Sequence, residues 1–324
     1  MSSATDTHSS DTRPALKLGR VLWIVSILSV ALLVVSRSSR PAAAKGDIEL
    51  SSSEIIESSG LARSTRDDDI LWTHNDSGDK PRLFAFDRQG KVRAELVVKK
   101  AEAHDWEDMC SFERDGKHYL AVGDIGDNPL MRKHVTIYVF EEPKLKSDGK
   151  SDDKKSDFLR LDEKVLCEIQ VKYPQGPTNC EALAYDPLTQ SFLLATKENF
   201  QSNIYRVPIV LDEKKSEVEA IKLGSLNLPL VTGAAISDDG SMLAIATYGP
   251  PCIVRRLNNA TSVSKETNVA EWNLKDAGAT QFFEAPPRRQ GESICFEKDG
   301  RSVLLTSEGS PMPLYIVPIP SKKD

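Results

Sequence analysis

The sequence is poor in several residue types that would define a protein class by themselves. It has five cysteines, none in a CxxC pair or a zinc-like cluster, and only 6% of its residues are aromatic. The odd cysteine count and the apolar surroundings of the cysteines favour buried thiols over a disulfide framework. Basic residues are not in excess, since the net charge is -6. We therefore expect no nucleic-acid partner, because binding phosphates requires a basic surface.

Familiar catalytic motifs and long amphipathic helices are also missing. The sequence contains no G-x-S-x-G elbow, H-E-x-x-H motif, Walker loop or dinucleotide fingerprint. After residue 46, short β-rich segments alternate with Asp, Gly and Pro turns. This pattern predicts an all-β body.

One long hydrophobic run stands near the N-terminus. Residues 1–20 contain several basic residues, 21–36 are almost entirely apolar, and 37–46 form a polar linker that contains a small Ala42–Ala44 segment. Removal as a signal peptide and retention as a membrane anchor both fit this arrangement. In either case the basic flank places the body, residues 47–320, outside the cytoplasm.

A repeat organises the body. Five four-residue segments share an oxygen-bearing first residue, an apolar third residue and a small fourth residue. They begin at Ser59, Glu107, Glu181, Thr232 and Glu292, and a core leucine of the next strand follows each after 12, 13, 12, 11 and 12 residues. Regular short strands at this spacing predict a five-bladed β-propeller.

The fourth strand of the fifth blade is absent from the C-terminal end. We expect Asp47–Leu50, or residues just beyond, to supply it and close the ring, because closure removes exposed sheet edges. The other predicted fourth strands include Val218–Ile221 and Val269–Leu274. Residues 144–164 are rich in Lys, Asp and Ser and are predicted to form a charged insert loop. The alternative is a sixth, degenerate blade within 144–164 or 276–289.

The first residues of the five segments are expected to meet around the propeller axis. We call Ser59, Glu107, Glu181, Thr232 and Glu292 the hub ring, and the end of the channel where they lie the mouth. Three carboxylates this close repel one another, and a hard cation would compensate them. Ca²⁺ accepts six to eight oxygen ligands in flexible geometry, so it suits this ring better than Mg²⁺. Alternatively, these side chains contact water or pair with Lys197, Arg288 or Arg289.

This ordered ring resembles the hub of the calcium-activated nucleotidases, or apyrases. The resemblance covers the repeat from residue 59 to about 317 and implies a five-bladed propeller with a central calcium. Thr232 stands where that family has Ser. The Asp-rich catalytic segment of the family is not recognised in this sequence, so nucleotidase activity is not implied.

The loops after the second strands are expected to line the mouth, and most are acidic. Asp76, Asp124 and Asp127 are candidate catalytic residues, because their loops are more polar than a short turn requires. The candidate ligand-binding residues at the rim of the mouth are His74, Asn75, His104, Asp105, Trp106, Asn128, Lys197, Glu198 and Glu308.

Two functions are consistent with these patterns. The first is an extracytoplasmic calcium-binding propeller with a structural metal, whose mouth binds a small molecule or a protein. The second is a metal-dependent hydrolase of phosphoesters or other esters. The membrane is an additional partner if residues 21–36 remain attached.

Overall fold

The computed structural model describes residues 47–50, 52–145, 158–257, 271–275 and 279–321. The predicted segments 1–20, 21–36 and 37–46 lie outside the described residues, so the leader and the linker stay predictions. No helix of sufficient length and apolar character for a membrane span occurs in the part that is described.

The described chain consists of short β-strands. In chain order the first eleven are β1 (Ile48–Leu50), β2 (Ser58–Arg63), β3 (Ile70–Asn75), β4 (Arg82–Asp87), β5 (Val92–Lys99), β6 (Trp106–Arg114), β7 (Lys117–Asp124), β8 (Val135–Glu141), β9 (Leu159–Lys164), β10 (Cys167–Lys172) and β11 (Cys180–Asp186). The rest are β12 (Ser191–Thr196), β13 (Ser202–Pro208), β14 (Lys215–Glu219), β15 (Ile221–Leu226), β16 (Val231–Ile236), β17 (Met242–Thr247), β18 (Cys252–Arg255), β19 (Thr280–Phe282), β20 (Ile294–Phe296), β21 (Ser302–Thr306) and β22 (Met312–Pro318).

Five sheets form from the described strands, and they are arranged as a closed ring. Their orders are β2-β3-β4-β5-β9, β14-β10-β8-β7-β6, β11-β12-β13-β15, β16-β17-β18-β19 and β1-β22-β21-β20. The innermost strands are β2, β6, β11, β16 and β20; each contacts the next, and β20 contacts β2 again. This topology is a five-bladed propeller, as the repeat predicts.

The ring closes as predicted. Strand β1 pairs antiparallel with β22, so that Ile48 lies opposite Leu314 and Leu50 lies opposite Met312. Leu50 is fully buried. The N-terminal strand therefore supplies the outer strand of the last blade, and the chain ends hold the ring together through backbone hydrogen bonds.

Two predicted fourth strands were placed wrongly. In the third blade the fourth strand is β15, whereas β14 leaves that blade and pairs in parallel with β10 of the second. In the fourth blade Thr280–Phe282 pairs with β18, while Trp272 makes only an isolated bridge with Arg256. The apolar alternation of Val218–Ile221 and Val269–Leu274 was the same as that of a paired strand, so the pattern alone did not identify the partner.

The predicted charged insert 144–164 also differs in part. Its last residues, Leu159–Lys164, form β9, which pairs in parallel with β5 and adds a fifth strand to the first blade. Residues 146–157 lie outside the described part. Neither 159–164 nor 279–289 begins a further sheet within the described residues, so five blades account for them.

The core lies between adjacent blades. Strands β3 and β12 are buried along their whole length, because each blade packs against a neighbour on both faces. Between the second and third blades, Phe112 stacks on Tyr119 and on Tyr185 and meets the edge of Phe192. Because the large apolar side chains pack between blades, the side chains at the propeller axis are small or polar.

Candidate functional site at the mouth

The hub-ring residues of four blades lie at β-bulges. The register between the first and second strands shifts between Ser58 and Gly60, between Trp106 and Asp108, between Cys180 and Ala182, and between Val231 and Gly233. Each shift falls on a hub-ring residue. A bulge redirects the extra residue out of the regular pleat. The repeat in the sequence therefore marks a repeated backbone irregularity at the mouth.

The two hydroxyl members of the hub ring connect neighbouring blades. Ser59 Oγ donates to the carbonyl oxygen of Glu107 at 2.6 Å, and Thr232 Oγ1 donates to the carbonyl oxygen of Gly291 at 2.8 Å. Both hydroxyls are buried. Their contribution in this structure is to hold the first blade on the second and the fourth on the fifth.

We expect Thr232→Val to lower the free energy of unfolding by about 1–2 kcal/mol, because it leaves a buried carbonyl oxygen without its donor at almost unchanged volume. Urea unfolding measures this. Thr189, which is partly exposed and shares a hydrogen bond with the Ser191 hydroxyl, supplies the control Thr189→Val. An effect of Thr232→Val no larger than that of the control would contradict the blade-connecting role.

Glu181 is compensated by a lysine. Its Oε2 accepts from Lys197 Nζ at 2.5 Å, and Lys197 also donates to the Tyr248 hydroxyl at 2.9 Å. Burial raises the pKa of Glu181, and the Lys197 ammonium acts against that increase. Burial lowers the pKa of Lys197, but Glu181 outweighs it, so the lysine stays charged. This pair matches the alternative in which hub carboxylates are neutralised by protein cations.

Glu292 is buried and lacks a complete set of partners. Its Oε1 has no hydrogen-bond partner in the described part of the chain. Burial raises the pKa of Glu292 to about 8, with Lys197 opposing the increase. Arg288 contributes a second orphaned atom nearby, since its buried Nη1 also has no partner among the described residues. Burial thus favours the neutral form of Glu292.

Glu107 joins two acidic residues of the neighbouring loops. One carboxylate oxygen from each of Asp76, Asp105 and Glu107 lies within 4.8 Å of the others. We call these three residues the acidic trio. Glu107 is only 5% exposed, and in the described residues no hydrogen bond or ion pair reaches its carboxylate. Burial raises the pKa of Glu107 well above its usual range, and Glu181, Asp76 and Asp105 add to the increase.

A glycine makes room for the acidic trio. A Cβ atom at Gly126 would lie 2.2 Å from Glu107 Oε1 and 2.3 Å from Asp105 Oδ2. Only glycine therefore allows both carboxylates to approach the backbone there. The Gly126 amide also donates to the Asp105 carbonyl oxygen at 3.2 Å, which fixes the loop against the trio.

Two of the predicted catalytic aspartates are engaged in holding loops. Asp124 accepts from Arg132 Nη1 at 2.8 Å and from the Asp105 amide at 3.1 Å. Asp127 accepts from the amides of Met131 and Arg132, each at 2.9 Å. Both carboxylates are almost completely buried. Asp76 alone among the three belongs to the acidic trio.

Several predicted rim residues lie beneath the surface. Trp106 was expected to be exposed, but it is 2% exposed and its Nε1 donates to the Glu102 carbonyl oxygen at 2.8 Å. His74 is fully buried against the edge of Trp106. Asn75 is buried and bonds the 54–57 segment. These side chains build the wall of the mouth because the blade packing extends further towards it than the sequence pattern indicated.

The other predicted rim residues are at least partly accessible. Asn128 and Glu198 are exposed, Asp105 and Glu308 are partly buried, and the His104 side chain is 63% exposed. Glu198 accepts from Thr196 and Asn203. Lys197 faces Glu181 instead of solvent. The accessible lining of the mouth is therefore mostly acidic or amide.

Sequence reasoning missed Asp108. This residue extends from β6 across the axis, where Oδ2 accepts from the Leu183 amide of the third blade at 2.9 Å and the Ala234 amide of the fourth at 3.1 Å. Its Oδ1 accepts from the Met109 amide at 2.8 Å. A signal was present, because the second residue of the repeated segment is Gly, Ala or Ser in the other four copies.

The fold and the mouth define the class: a five-bladed β-propeller with an acidic mouth. No protein-family model matches the sequence, and no curated protein matches it. Among solved structures the chain is similar to the hydrazine synthase of Kuenenia stuttgartiensis, with a TM-score of 0.44 and 11% identity over 81% of this chain and 84% of that one. It is also similar to the Dos1 propeller, with a TM-score of 0.36 and 9% identity over 81% and 68%. The propeller assignment depends on the sheet topology and not on these similarities.

Proposed function

We propose that this protein is an extracytoplasmic propeller that binds a divalent cation, Ca²⁺ in preference to Mg²⁺, at the mouth of its channel. The observation that carries the proposal is the acidic trio, in which three carboxylates converge around a buried and unpartnered Glu107. Converging carboxylates without a cation repel one another and are costly to bury. A hard cation removes that cost.

The donor set agrees with this cation. Asp76, Asp105 and Glu107 supply carboxylate oxygens only, and their loops carry further backbone carbonyls. Such ligands suit Ca²⁺ and Mg²⁺, whereas Zn²⁺ favours nitrogen and sulfur. Ca²⁺ is preferred because it tolerates irregular geometry from residues on separate loops. The proposed site thus retains Glu107 from the hub ring and replaces its other members by Asp76 and Asp105.

We expect Ca²⁺ to raise the melting temperature by a few degrees. A cation that binds only the folded state stabilises it by about 1.4 kcal/mol at ten times its Kd, and extracellular calcium modules have Kd values of roughly 0.1–1 mM. Glu107→Gln should abolish this calcium-dependent shift of the melting temperature. Asp162→Asn, which changes an exposed carboxylate on β9, should retain it. Calorimetric scans with calcium and with chelator measure both.

The Glu181→Gln variant distinguishes a cation site in the acidic trio from a cation site formed by the whole hub ring. If the trio binds the cation, this variant keeps most of the calcium shift, because Glu181 pairs with Lys197. Loss of the shift in Glu181→Gln would favour the ring instead. No shift in the wild-type protein at millimolar calcium would overturn the cation proposal in both forms.

A further inference from the structure

A cavity of about 290 Å³ opens on the propeller face opposite the mouth. It lies between the loop that joins β2 to β3 in the first blade and the segment that follows β8 in the second. Its lining includes the cations Arg66 and Lys144 and the apolar residues Ile70, Pro143 and Leu145. Cationic side chains and an apolar wall therefore share one small space.

The buried carboxylate of the cavity is already occupied by donors. Glu142 is 2% exposed. Its Oε1 accepts from Trp72 Nε1 at 2.9 Å, and its Oε2 accepts from the amide and the hydroxyl of Thr65 at 3.1 and 2.9 Å. Glu142 is consequently directed into the protein and does not pair with the cations of the cavity.

Arg66 is positioned but not neutralised. Its Nε donates to the Glu142 carbonyl oxygen at 2.7 Å, which fixes the guanidinium beside the cavity. Neither Arg66 nor Lys144 forms an ion pair within the part of the chain that the structure describes. By contrast, Arg63, Arg82 and Arg88 each pair with a carboxylate. An unpaired guanidinium held by its Nε offers a planar fork of N–H donors.

His118 and Asp67 complete the polar side. The Thr65 hydroxyl donates its proton to Glu142, and its oxygen Oγ1 therefore accepts a hydrogen bond from His118 Nδ1 at 2.9 Å. The other polar atom of the His118 ring is Nε2. Asp67 is exposed, and its Oδ1 accepts from the Asp69 amide at 3.0 Å. Asp67 is thus the exposed carboxylate of the lining and Glu142 the buried one, beside the cations Arg66 and Lys144.

We propose that this cavity binds a small organic oxyanion, a carboxylate or a phosphate monoester. Its charged head contacts Arg66 and Lys144, because a guanidinium fork matches both groups in a bidentate way. Its apolar part packs on Ile70, Pro143 and Leu145. The site is independent of the calcium proposal, since it lies on the other face and uses none of the same residues.

Isothermal titration calorimetry of the full-length protein in metal-free buffer tests this, with phenyl phosphate, benzoate and inorganic phosphate as probes and benzyl alcohol as the neutral analogue. We expect saturable binding of one or both aromatic anions and none of the alcohol. Arg66→Gln should weaken binding at least tenfold, and Lys144→Gln several-fold. The matched control is Arg160→Gln, an exposed arginine on β9 that faces Glu95.

Three outcomes would overturn the proposal: no anion binds at millimolar concentration, Arg66→Gln binds as tightly as Arg160→Gln, or the alcohol binds as tightly as the anions. Inorganic phosphate binding as tightly as phenyl phosphate would refute the role of the apolar wall. Lys144→Gln alters an exposed side chain, so it keeps the test decisive if Arg66→Gln fails to fold.

Discussion

Asp108→Ala is expected to lower the free energy of unfolding by about 4 kcal/mol or more. The substitution leaves the amides of Met109, Leu183 and Ala234 without an acceptor at a fully buried position. Each buried, unpaired N–H costs roughly 1–3 kcal/mol. Because these amides belong to three different blades, the loss should also weaken the ring as a unit. Urea unfolding with a cooperative fit measures the effect.

Graded variants make this test specific. Asp108→Asn keeps one acceptor oxygen and turns the other into a donor, so we expect an intermediate loss. Asp162→Ala removes an exposed partner of Lys99 and should change stability by about 0.5 kcal/mol or less. A loss below 1 kcal/mol for Asp108→Ala would show that water or a backbone shift satisfies the three amides instead.

Glu292 is expected to make the metal-free protein less stable as pH rises. Burial raises its pKa to about 8, so the folded state retains a proton that the unfolded state releases. Its contribution is fully present below the ordinary glutamate pKa of about 4.3 and is lost as pH rises to about 8. The slope is about 1.4 kcal/mol per pH unit while only the unfolded state is ionised.

Glu292→Gln should remove this pH dependence. The variant cannot ionise, so its stability relative to wild type should increase steadily from pH 5 to pH 8. Unfolding in urea at pH 5, 6.5 and 8 tests this, and the exposed Glu213 supplies the control Glu213→Gln. A difference between variant and wild type that stays constant with pH would refute the buried, neutral state. If calcium abolishes the stability difference between Glu292→Gln and wild type at pH 8, then Glu292 is a calcium ligand.

The residue types at the candidate site were predictable from the sequence, whereas the contacts among them were less so. The sequence correctly pointed to oxygen-bearing residues at the start of each inner strand. It offered pairing of the hub carboxylates with Lys197 only as an alternative, which Glu181 adopts, and it did not indicate that Glu107 would converge with Asp76 and Asp105. Those pairings depend on how loops from different blades meet, and local pattern carries little information about contacts between distant segments. For the same reason the sequence did not indicate that the candidate catalytic residues Asp124 and Asp127 accept hydrogen bonds from Arg132 and from the amides of their loop.

The repeat, the five blades, the inner strands and the closing strand were predictable from the sequence pattern. They were predictable because alternating burial and turn residues are local properties that recur with a fixed spacing. Three features became visible only in the folded chain: β14 leaves its blade, β9 joins the first blade, and Asp108 crosses the axis. Each of these depends on which backbone groups remain unpaired after the blades pack, and that is a property of the assembled ring.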